Sequence, residues 1–319
     1  MRPLSICVGI GLGMGIATGC TIDTGDDPPL PPPWGVPISG GTMLVSRDGN
    51  TAVVADPDRD RVVTIDLVAE RMRDVFELAP HSEPGRVVED GDGRFHVALR
   101  GSGELLTITG GERTLRSVCG EPRGVAWSET DNLVLVACAT GELVSLSPGG
   151  GDPVRVVRVE RDLRDVLVRA DGTLAVTTFR GAELLLLDGN GAITTRIKPP
   201  VTDRIDFGDG FGTTVPAIPE VAWRTIVLPN GDIMMSHQRR LGTMLRVVTG
   251  GYGGHCLGGA VEPALTIIHP DNVVFAVAPV ASASLPVDVA VSPITDDVAI
   301  AAAGQDSVFV MPHSSTTSP

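Results

Sequence analysis

The chain has 319 residues, and 42% of them are hydrophobic, which excludes a disordered polypeptide and leaves enough apolar material for a folded core. Its formal net charge of −14 argues against nucleic acid as a partner, because binding to phosphates needs a basic surface. Aromatic residues make up only 3% of the sequence, so a carbohydrate site built from stacked rings is not expected.

The N-terminus has the pattern of an export signal. Arg2 precedes an apolar stretch over residues 4–16, which matches the core of a secretory signal and is too short to span a bilayer. The stretch ends in the letters ATGC at residues 17–20, which resemble the bacterial lipobox. That resemblance implies a signal peptide of residues 1–19 and a lipid-modified Cys20 that attaches the protein to a membrane. An ordinary signal peptide with an incidental Cys20 is the alternative.

Residues 20–37 form the next predicted unit, an acidic and then proline-rich tether. The letters DDPPLPPPWGVP favour a semi-rigid, extended segment that holds a folded body away from a membrane surface. Thr21, and not Asp, follows Cys20, so the lipoprotein resemblance favours the outer membrane over the inner one. We therefore expect an exported protein that is anchored in the cell envelope by its lipid.

Residues 38–312 repeat one phrase about every forty residues, a period that is typical of stacked blades. Each copy has an apolar strand, a turn rich in Asp, Gly or Asn, a Val- and Ala-rich strand, a second polar turn and a third apolar strand. The first strands are anchored at Met43, Val87, Val125, Val166, Ile226 and Val289. This pattern predicts an all-β propeller of four-stranded blades, since such units bury their faces only by stacking. Six blades are expected, and a segment from Ala264 could belong to a seventh.

Two copies carry a family resemblance. AVVADPDRDRVVTIDL from Ala52 and VAIAAAGQDSVFVM from Val298 resemble the YVTN-type bacterial propeller repeat, and the related NHL repeats are similar. LPNGDIMMSHQRR from Leu228 and GGYGGHC from Gly250 are similar to propeller regions that some bacterial lipoproteins carry ahead of a c-type cytochrome domain. The chain has no Cys-x-x-Cys-His motif, so we expect no covalent haem and no other cofactor.

The last two intervals between anchors contain insertions. Residues 199–219 and 250–263 are rich in glycine, and this composition predicts loops. Binding residues often lie on such loops, so the candidates there and on the neighbouring segment are Asp206, Asp209, His237 and His255.

The final copy ends at Met311 without a fourth strand, and we expect residues 313–319 to be a disordered tail. One interpretation is that residues 34–39 supply the missing strand and close the ring, because a propeller must protect its sheet edges. The alternative is that the chain is a shortened relative of a longer protein.

The cysteines allow one disulfide. Cys119 precedes the first strand of the third unit and Cys138 ends its second strand, so antiparallel pairing brings them near each other, and an exported compartment permits the bond. Two unpaired buried thiols are the alternative. Cys256 lies beside His255, but two ligands are too few for a metal site, and none is predicted.

Three arginines stand two positions before the first strands of consecutive units: Arg123, Arg164 and Arg224. Asp165 and Asp288 stand one position before the strands of their own units. Because the first strand of every blade lines the central channel, these five residues are expected around one channel mouth. They could bind an anion or an acidic group of a partner, since arginine suits such groups. A network of Arg–Asp pairs that only joins the blades is the alternative.

These patterns favour a monomeric binding or scaffold module that acts on a protein or small-ligand partner, because no catalytic motif is recognisable. A hydrolase or lactonase with a metal in its channel is an alternative, with Glu220 and Asp288 as possible ligands. A third possibility, implied only by the family resemblance, is an accessory partner of a separate c-type cytochrome.

Overall fold

The computed structural model describes residues 41–206, 212–243, 260–276, 280, 283–292 and 294–312. The predicted signal peptide, Cys20, the tether and the tail lie outside these residues, as do Asp209, His255 and Cys256. No helix within the described residues is long and apolar enough to cross a membrane.

The described strands form six antiparallel sheets, which are the blades of a β-propeller. Blade 1 contains β1 (Met43–Val45), β2 (Thr51–Asp56), β3 (Arg61–Asp66) and β4 (Arg71–Glu77). Blade 2 contains β5 (Pro84–Glu89), β6 (Phe95–Leu99), β7 (Glu104–Thr109) and β8 (Glu112–Ser117). Blade 3 contains β9 (Pro122–Ser128), β10 (Leu133–Cys138), β11 (Glu142–Leu146) and β12 (Pro153–Arg158). Blade 4 contains β13 (Leu163–Val168), β14 (Leu174–Thr178), β15 (Leu184–Leu187) and β16 (Ile193–Ile197).

The last two blades depart from this plan. Blade 5 has five strands: β17 (Thr202–Asp206), β18 (Thr213–Val227), β19 (Ile233–Leu241), β20 (Val261–Ile268) and β21 (Val274–Ala276). Blade 6 has three described strands, β22 (Pro286–Val291), β23 (Asp297–Ala302) and β24 (Ser307–Pro312), and a short 3-10 helix (Ala303–Gln305) precedes β24. The predicted propeller is confirmed with six blades. The segment from Ala264 forms β20 and β21 of blade 5, so a seventh blade was the wrong reading.

The hairpin turns form as their sequences predict. Gly49 and Gly172 have φ angles of 75° and 80°, a region that glycine enters without steric cost. The preceding Asp48 and Asp171 accept hydrogen bonds from the backbone N–H two residues on, at 3.0 Å in both turns. These Asp-Gly turns set the register of the first two strands of their blades.

The hydrophobic core lies between neighbouring blades. Val53 and Val62 of blade 1 pack with Val97 and Leu106 of blade 2, and similar clusters join each following pair as far as blades 5 and 6. The second and third strands supply most of these side chains because blades cover both of their faces. At the junction of the first and last blades, the Gly41 N–H donates to Asp288 Oδ2 at 2.8 Å.

The prediction of a loop over residues 199–219 was wrong. Residues 202–206 are β17, and residues 213–219 begin β18, in which buried Val215, Ala217 and Pro219 alternate with more exposed neighbours. That period of two is the signal of a strand, and the glycine-rich letters DFGDGFG at 206–212 obscured it. Residues 261–263 of the second predicted loop likewise begin β20.

Candidate functional site

Side chains from four blades meet at one mouth of the central channel. They are Arg86 at the start of β5, Arg164 and Asp165 of β13, Arg224 of β18 and Asp288 of β22, and we call this set the channel-mouth cluster. The inner strands begin at this end of the ring, so residues that are distant in sequence come into contact here.

Asp165 is the centre of the cluster. Its carboxylate accepts from Arg86 Nε at 2.7 Å and from the Thr225 N–H at 2.8 Å, and Arg224 Nη1 lies 3.4 Å away. Asp165 is buried. Burial opposes its ionisation, but the positive charges of Arg86, Arg224 and Arg164 outweigh that effect, and they hold the pKa of the carboxyl below its usual value. Asp165 therefore joins blades 2, 4 and 5 as a charged group.

Sequence reasoning did not select Arg86. In the alignment of first strands, Gly85 occupies the position at which Arg123 stands, and Arg86 comes one residue later. An irregular register between Pro84 and Val87 accompanies this offset. Gly41 leaves room for the side chain, because a Cβ at that position would overlap the Arg86 guanidinium. A comparison of the letters PGR at 84–86 with PRG at 122–124 could have indicated Arg86, because both triplets place an arginine after the proline that begins the inner strand.

Arg224 connects the cluster to the last blade. Its Nε lies 3.3 Å from Asp288 Oδ1, and the same guanidinium reaches Asp165. The side chains of Arg224 and Asp288 are 26% and 28% exposed, whereas that of Asp165 is 2% exposed. The Arg224 side of the cluster is therefore the side that opens to solvent.

Arg164 has different surroundings. Its Nε donates to the Trp223 carbonyl at 3.2 Å, and its guanidinium carbon lies 4.9 Å from the centre of the Phe179 ring. No carboxylate of the described residues lies within 4.0 Å of its guanidinium nitrogens, although Arg164 is buried. Burial, followed by the charge of Arg86, lowers the pKa of Arg164 to about 9, so the group is still charged at neutral pH.

Arg123 is not a member of the cluster. Its Nη2 lies 2.8 Å from Glu121 Oε1 and its Nη1 lies 2.9 Å from Asp162 Oδ1. The guanidinium carbon is 5.5 Å from the centre of the same Phe179 ring that Arg164 covers. The three arginines that the sequence selected therefore have three different sets of partners.

Two aromatic side chains complete the mouth. Phe179, in the connection between β14 and β15, and Trp223 of β18 make an edge-to-face contact with their centres 5.3 Å apart. Trp223 Nε1 is enclosed and has no hydrogen-bond partner among the described residues. Trp223 could have been selected from sequence because it directly precedes Arg224. Phe179 comes from a turn of another blade, and nothing in its local sequence indicates this position.

Blade 5 continues beyond the mouth. The blade-five extension consists of β17 together with residues 213–221 of β18, 238–241 of β19 and 261–263 of β20, which pair with one another beyond Ala222. The base of the extension is held to blade 4, because the Ala222 N–H donates to the Phe179 carbonyl at 2.7 Å. β18 has 15 residues, compared with six or seven in β5, β9 and β13. The extension and the channel-mouth cluster are therefore at the same end of the ring.

Ion pairs join the strands of the extension. Arg239 Nη2 lies 2.9 Å from Glu262 Oε1, Arg204 Nη1 lies 3.4 Å from Glu262 Oε2, and Arg239 Nη1 donates to Thr202 Oγ1 at 2.5 Å. On the other face Arg240 pairs with Glu220 at 2.7 Å. These contacts join four strands, β17, β18, β19 and β20, outside the regular core of the ring.

Two of the predicted loop candidates, Asp206 and His237, lie in strands. Asp206 is the last residue of β17. His237 is buried in β19, its Nε2 lies 2.9 Å from Thr266 Oγ1, and its Nδ1 lies 3.2 Å from the Gln238 carbonyl. Burial lowers the pKa of His237 to about 4, so its ring is neutral at pH 7. His237 is thus a hydrogen-bonded core residue and not a loop ligand.

The structure contains a disulfide between Cys119 and Cys138, whose Cα atoms are 6.4 Å apart. The strands β9 and β10 change register beside it, and Cys138 pairs with Pro122. The bond holds the connection before β9 against the end of β10. Within the described residues, no group of three or more His, Cys, Asp or Glu side chains could hold a metal ion.

No family model and no curated protein sequence matches the chain. Solved structures do match. Hydrazine synthase of Kuenenia stuttgartiensis is 16% identical, with a TM-score of 0.70 over 88% of this chain and 78% of its own. Virginiamycin B lyase of Staphylococcus aureus is 12% identical, with a TM-score of 0.52 over 83% of this chain and 92% of its own. A chain of a mitotic checkpoint complex is 12% identical, with a TM-score of 0.59 over 85% and 75%. At these identities the likeness concerns the propeller fold alone.

Proposed function

We propose that the chain is an exported, lipid-anchored propeller that binds a periplasmic or surface partner through its channel-mouth end. The observation that carries this proposal is the position of the blade-five extension and the channel-mouth cluster at the same end of the ring. A lengthened blade beside a group of buried charges is typical of a binding face on a rigid scaffold.

The shape of the extension supports this role. A regular blade buries its second and third strands and needs no strands beyond the ring, so β17 and the first half of β18 add little to the ring's own core. Their ordering costs conformational entropy, and the pairs made by Arg239 and Arg240 offset only part of that cost. We infer that the extension is retained because a partner contacts it.

The N-terminal sequence supports the location. The ATGC letters at 17–20 and the proline-rich segment after them fit a body that is tethered through Cys20 to the outer membrane. Replacing Cys20 with Ser should release the protein from the membrane fraction of the cells that produce it. A Cys20→Ser protein that still fractionates with membranes would contradict the lipid anchor.

Photocrosslinking in cells tests the binding face. A photoreactive residue at exposed Thr214, within the extension, should give a discrete adduct with a partner. The matched control places the same group at exposed Asp171, in the turn between β13 and β14 at the opposite end of the ring, where we expect no adduct. Equal labelling from both positions, or none from Thr214, would overturn the proposal.

The same samples separate the other functions. An adduct that contains covalent haem would identify a c-type cytochrome as the partner. A divalent metal that remains in stoichiometric amount in the purified protein would instead favour the propeller hydrolase.

A further inference from the structure

We propose that Arg164 is the centre of a binding site for an oxyanion, the carboxylate or phosphate group of a ligand or partner. The proposal rests on the binding role of the channel mouth and specifies the chemistry that the mouth recognises.

The first argument is charge. The channel-mouth cluster contains three guanidinium groups, Arg86, Arg164 and Arg224, and two carboxylates, Asp165 and Asp288. Glu121 and Asp162 are already engaged, because both pair with Arg123. The described cluster thus has one positive charge more than it has negative charges. A buried cation without a counterion is costly, and a bound anion removes that cost.

The second argument is hydrogen bonding. Two enclosed atoms of the mouth, Trp223 Nε1 and Thr225 Oγ1, lack a hydrogen bond among the described residues. The first can only donate and the second can donate, while Arg164 uses only its Nε, toward the Trp223 carbonyl. Buried donors without acceptors are rare in folded proteins, and each costs free energy. An oxyanion, which only accepts, suits this set of donors.

The third argument is geometry. The Arg164 guanidinium carbon lies 4.9 Å from the centre of the Phe179 ring, and the N–H groups that do not bond to Trp223 project in the plane of the guanidinium. A planar fork of N–H donors fits the two oxygens of a carboxylate or phosphate. Arg164 and Trp223 are both buried, and a charge–charge contact is stronger in such surroundings than in water. The partly exposed side chain of Arg224 marks the direction from which a ligand enters.

Calorimetric titration of the full chain in detergent tests the site. Sodium phosphate and sodium succinate serve as the two probes, with the ionic strength held constant by sodium chloride. We expect at least one probe to bind with a dissociation constant below about 1 mM, and the stronger probe identifies the oxyanion. No binding of either probe would overturn the proposal.

Variants locate the binding. Arg164→Gln should weaken binding at least tenfold, while Arg59→Gln, which removes an exposed arginine of blade 1, should leave it unchanged. Without a probe, Arg164→Gln should melt at the same temperature as the parent or higher, because it removes an unpaired buried charge. Equal binding by the parent and Arg164→Gln would mean adventitious binding elsewhere on the surface and would overturn the proposal. A lower melting temperature combined with unchanged affinity would assign Arg164 to holding the ring together.

If Arg164→Gln does not fold, a second variant tests whether the oxyanion binds at this site. Trp223→Phe keeps a ring against Phe179 but removes the Nε1 donor, and we expect binding to weaken at least threefold. Unchanged affinity in Trp223→Phe would then overturn the site. The photocrosslinking experiment in cells is independent of these titrations. If the oxyanion site exists but no partner binds, the titrations succeed and the crosslinking fails. If a partner binds but the mouth has no oxyanion site, the crosslinking succeeds and the titrations fail.

Discussion

Blade 5 differs from blades 2 to 4 in the strands that extend beyond the channel mouth, although each of these blades places an arginine near that mouth. In blades 2 to 4 a short turn joins the second and third strands, whereas in blade 5 β19 ends at Leu241 and β20 begins at Val261. The core of each blade lies between it and its neighbours, below the mouth. One end of a blade can therefore lengthen while the ring stays intact, and the regular blades act as the frame that supports the extended one.

Two buried histidines show the same contrast. His96 in β6 lies 3.0 Å from Thr107 Oγ1 and 2.9 Å from Asp90 Oδ2, and Arg94 pairs with that aspartate. Burial lowers the pKa of His96, and the hydrogen bond to Asp90 opposes that shift. His237 in β19 has a threonine and a carbonyl as partners but no carboxylate. Burial lowers the pKa of both histidines, but only the regular blade gives its histidine a carboxylate as a partner.

The largest predicted effect concerns the contact between the two regions. Asp165→Asn removes the negative charge that pairs with Arg86 and Arg224, so these two guanidinium groups lose their shared carboxylate. We expect the free energy of unfolding to fall by about 3–5 kcal/mol. Urea denaturation measures it, with exposed Asp58→Asn as the control, expected within ~0.5 kcal/mol of the parent. A loss below ~1 kcal/mol in Asp165→Asn would mean that the blades are joined mainly by apolar packing.

The disulfide belongs to a regular blade only. Replacing both Cys119 and Cys138 with Ser opens a link between residues 19 apart and should cost about 3 kcal/mol, because the unfolded chain gains freedom. Differential scanning calorimetry with and without reductant measures the effect. The parent should melt at a lower temperature in reductant, and the double variant should not respond. A response of the double variant would show that reductant acts elsewhere.

His237 makes the extended blade sensitive to acid. Its pKa is about 4 in the folded protein and about 6.5 when unfolded, so the unfolded chain binds more protons between these pH values. The contribution of His237 to the free energy of unfolding is therefore fully present above pH 6.5 and is lost as the pH falls toward 4. At pH 5 the loss is about 2 kcal/mol. His237→Gln should flatten the pH dependence of unfolding in this window. Lowered carboxyl pKa values act at more acidic pH, and an unchanged slope would exclude His237 as the cause.

The smallest predicted effect concerns the last blade. β3, β7, β11 and β15 are mostly buried, while in the third strand β24 Val308 and Val310 are both 66% exposed. If residues 34–39 supply the fourth strand, deleting them should cost only about 1 kcal/mol but should expose an apolar edge that pairs with other copies. Analytical ultracentrifugation should then detect oligomers that Val310→Lys prevents. A deleted protein that stays monomeric would contradict the assignment of residues 34–39 to this edge.

Sequence reasoning was most successful where the signal is local. The repeated anchors predicted six blades, and Asp-Gly pairs such as Asp48-Gly49 predicted their turns, because alternation and turn chemistry need only neighbouring residues. The prediction of a loop at residues 199–219 was wrong, because the glycine content there was weighed more heavily than the alternation of residues in β18. Sequence reasoning also assigned His237 to a loop, since a strand that continues beyond its blade has no precedent in the other repeats.

The sequence by itself determined that the chain is a propeller with arginines near its inner strands, because strand periodicity is written in adjacent residues. The tertiary structure alone decided which arginine has which partner. Arg86 reaches Asp165 across 79 residues, and Arg224 reaches it across 59, only after the ring closes. Arg164 is next to Asp165 in sequence, yet its guanidinium lies against Phe179, because electrostatic partners depend on position in space and on burial, neither of which a single strand specifies.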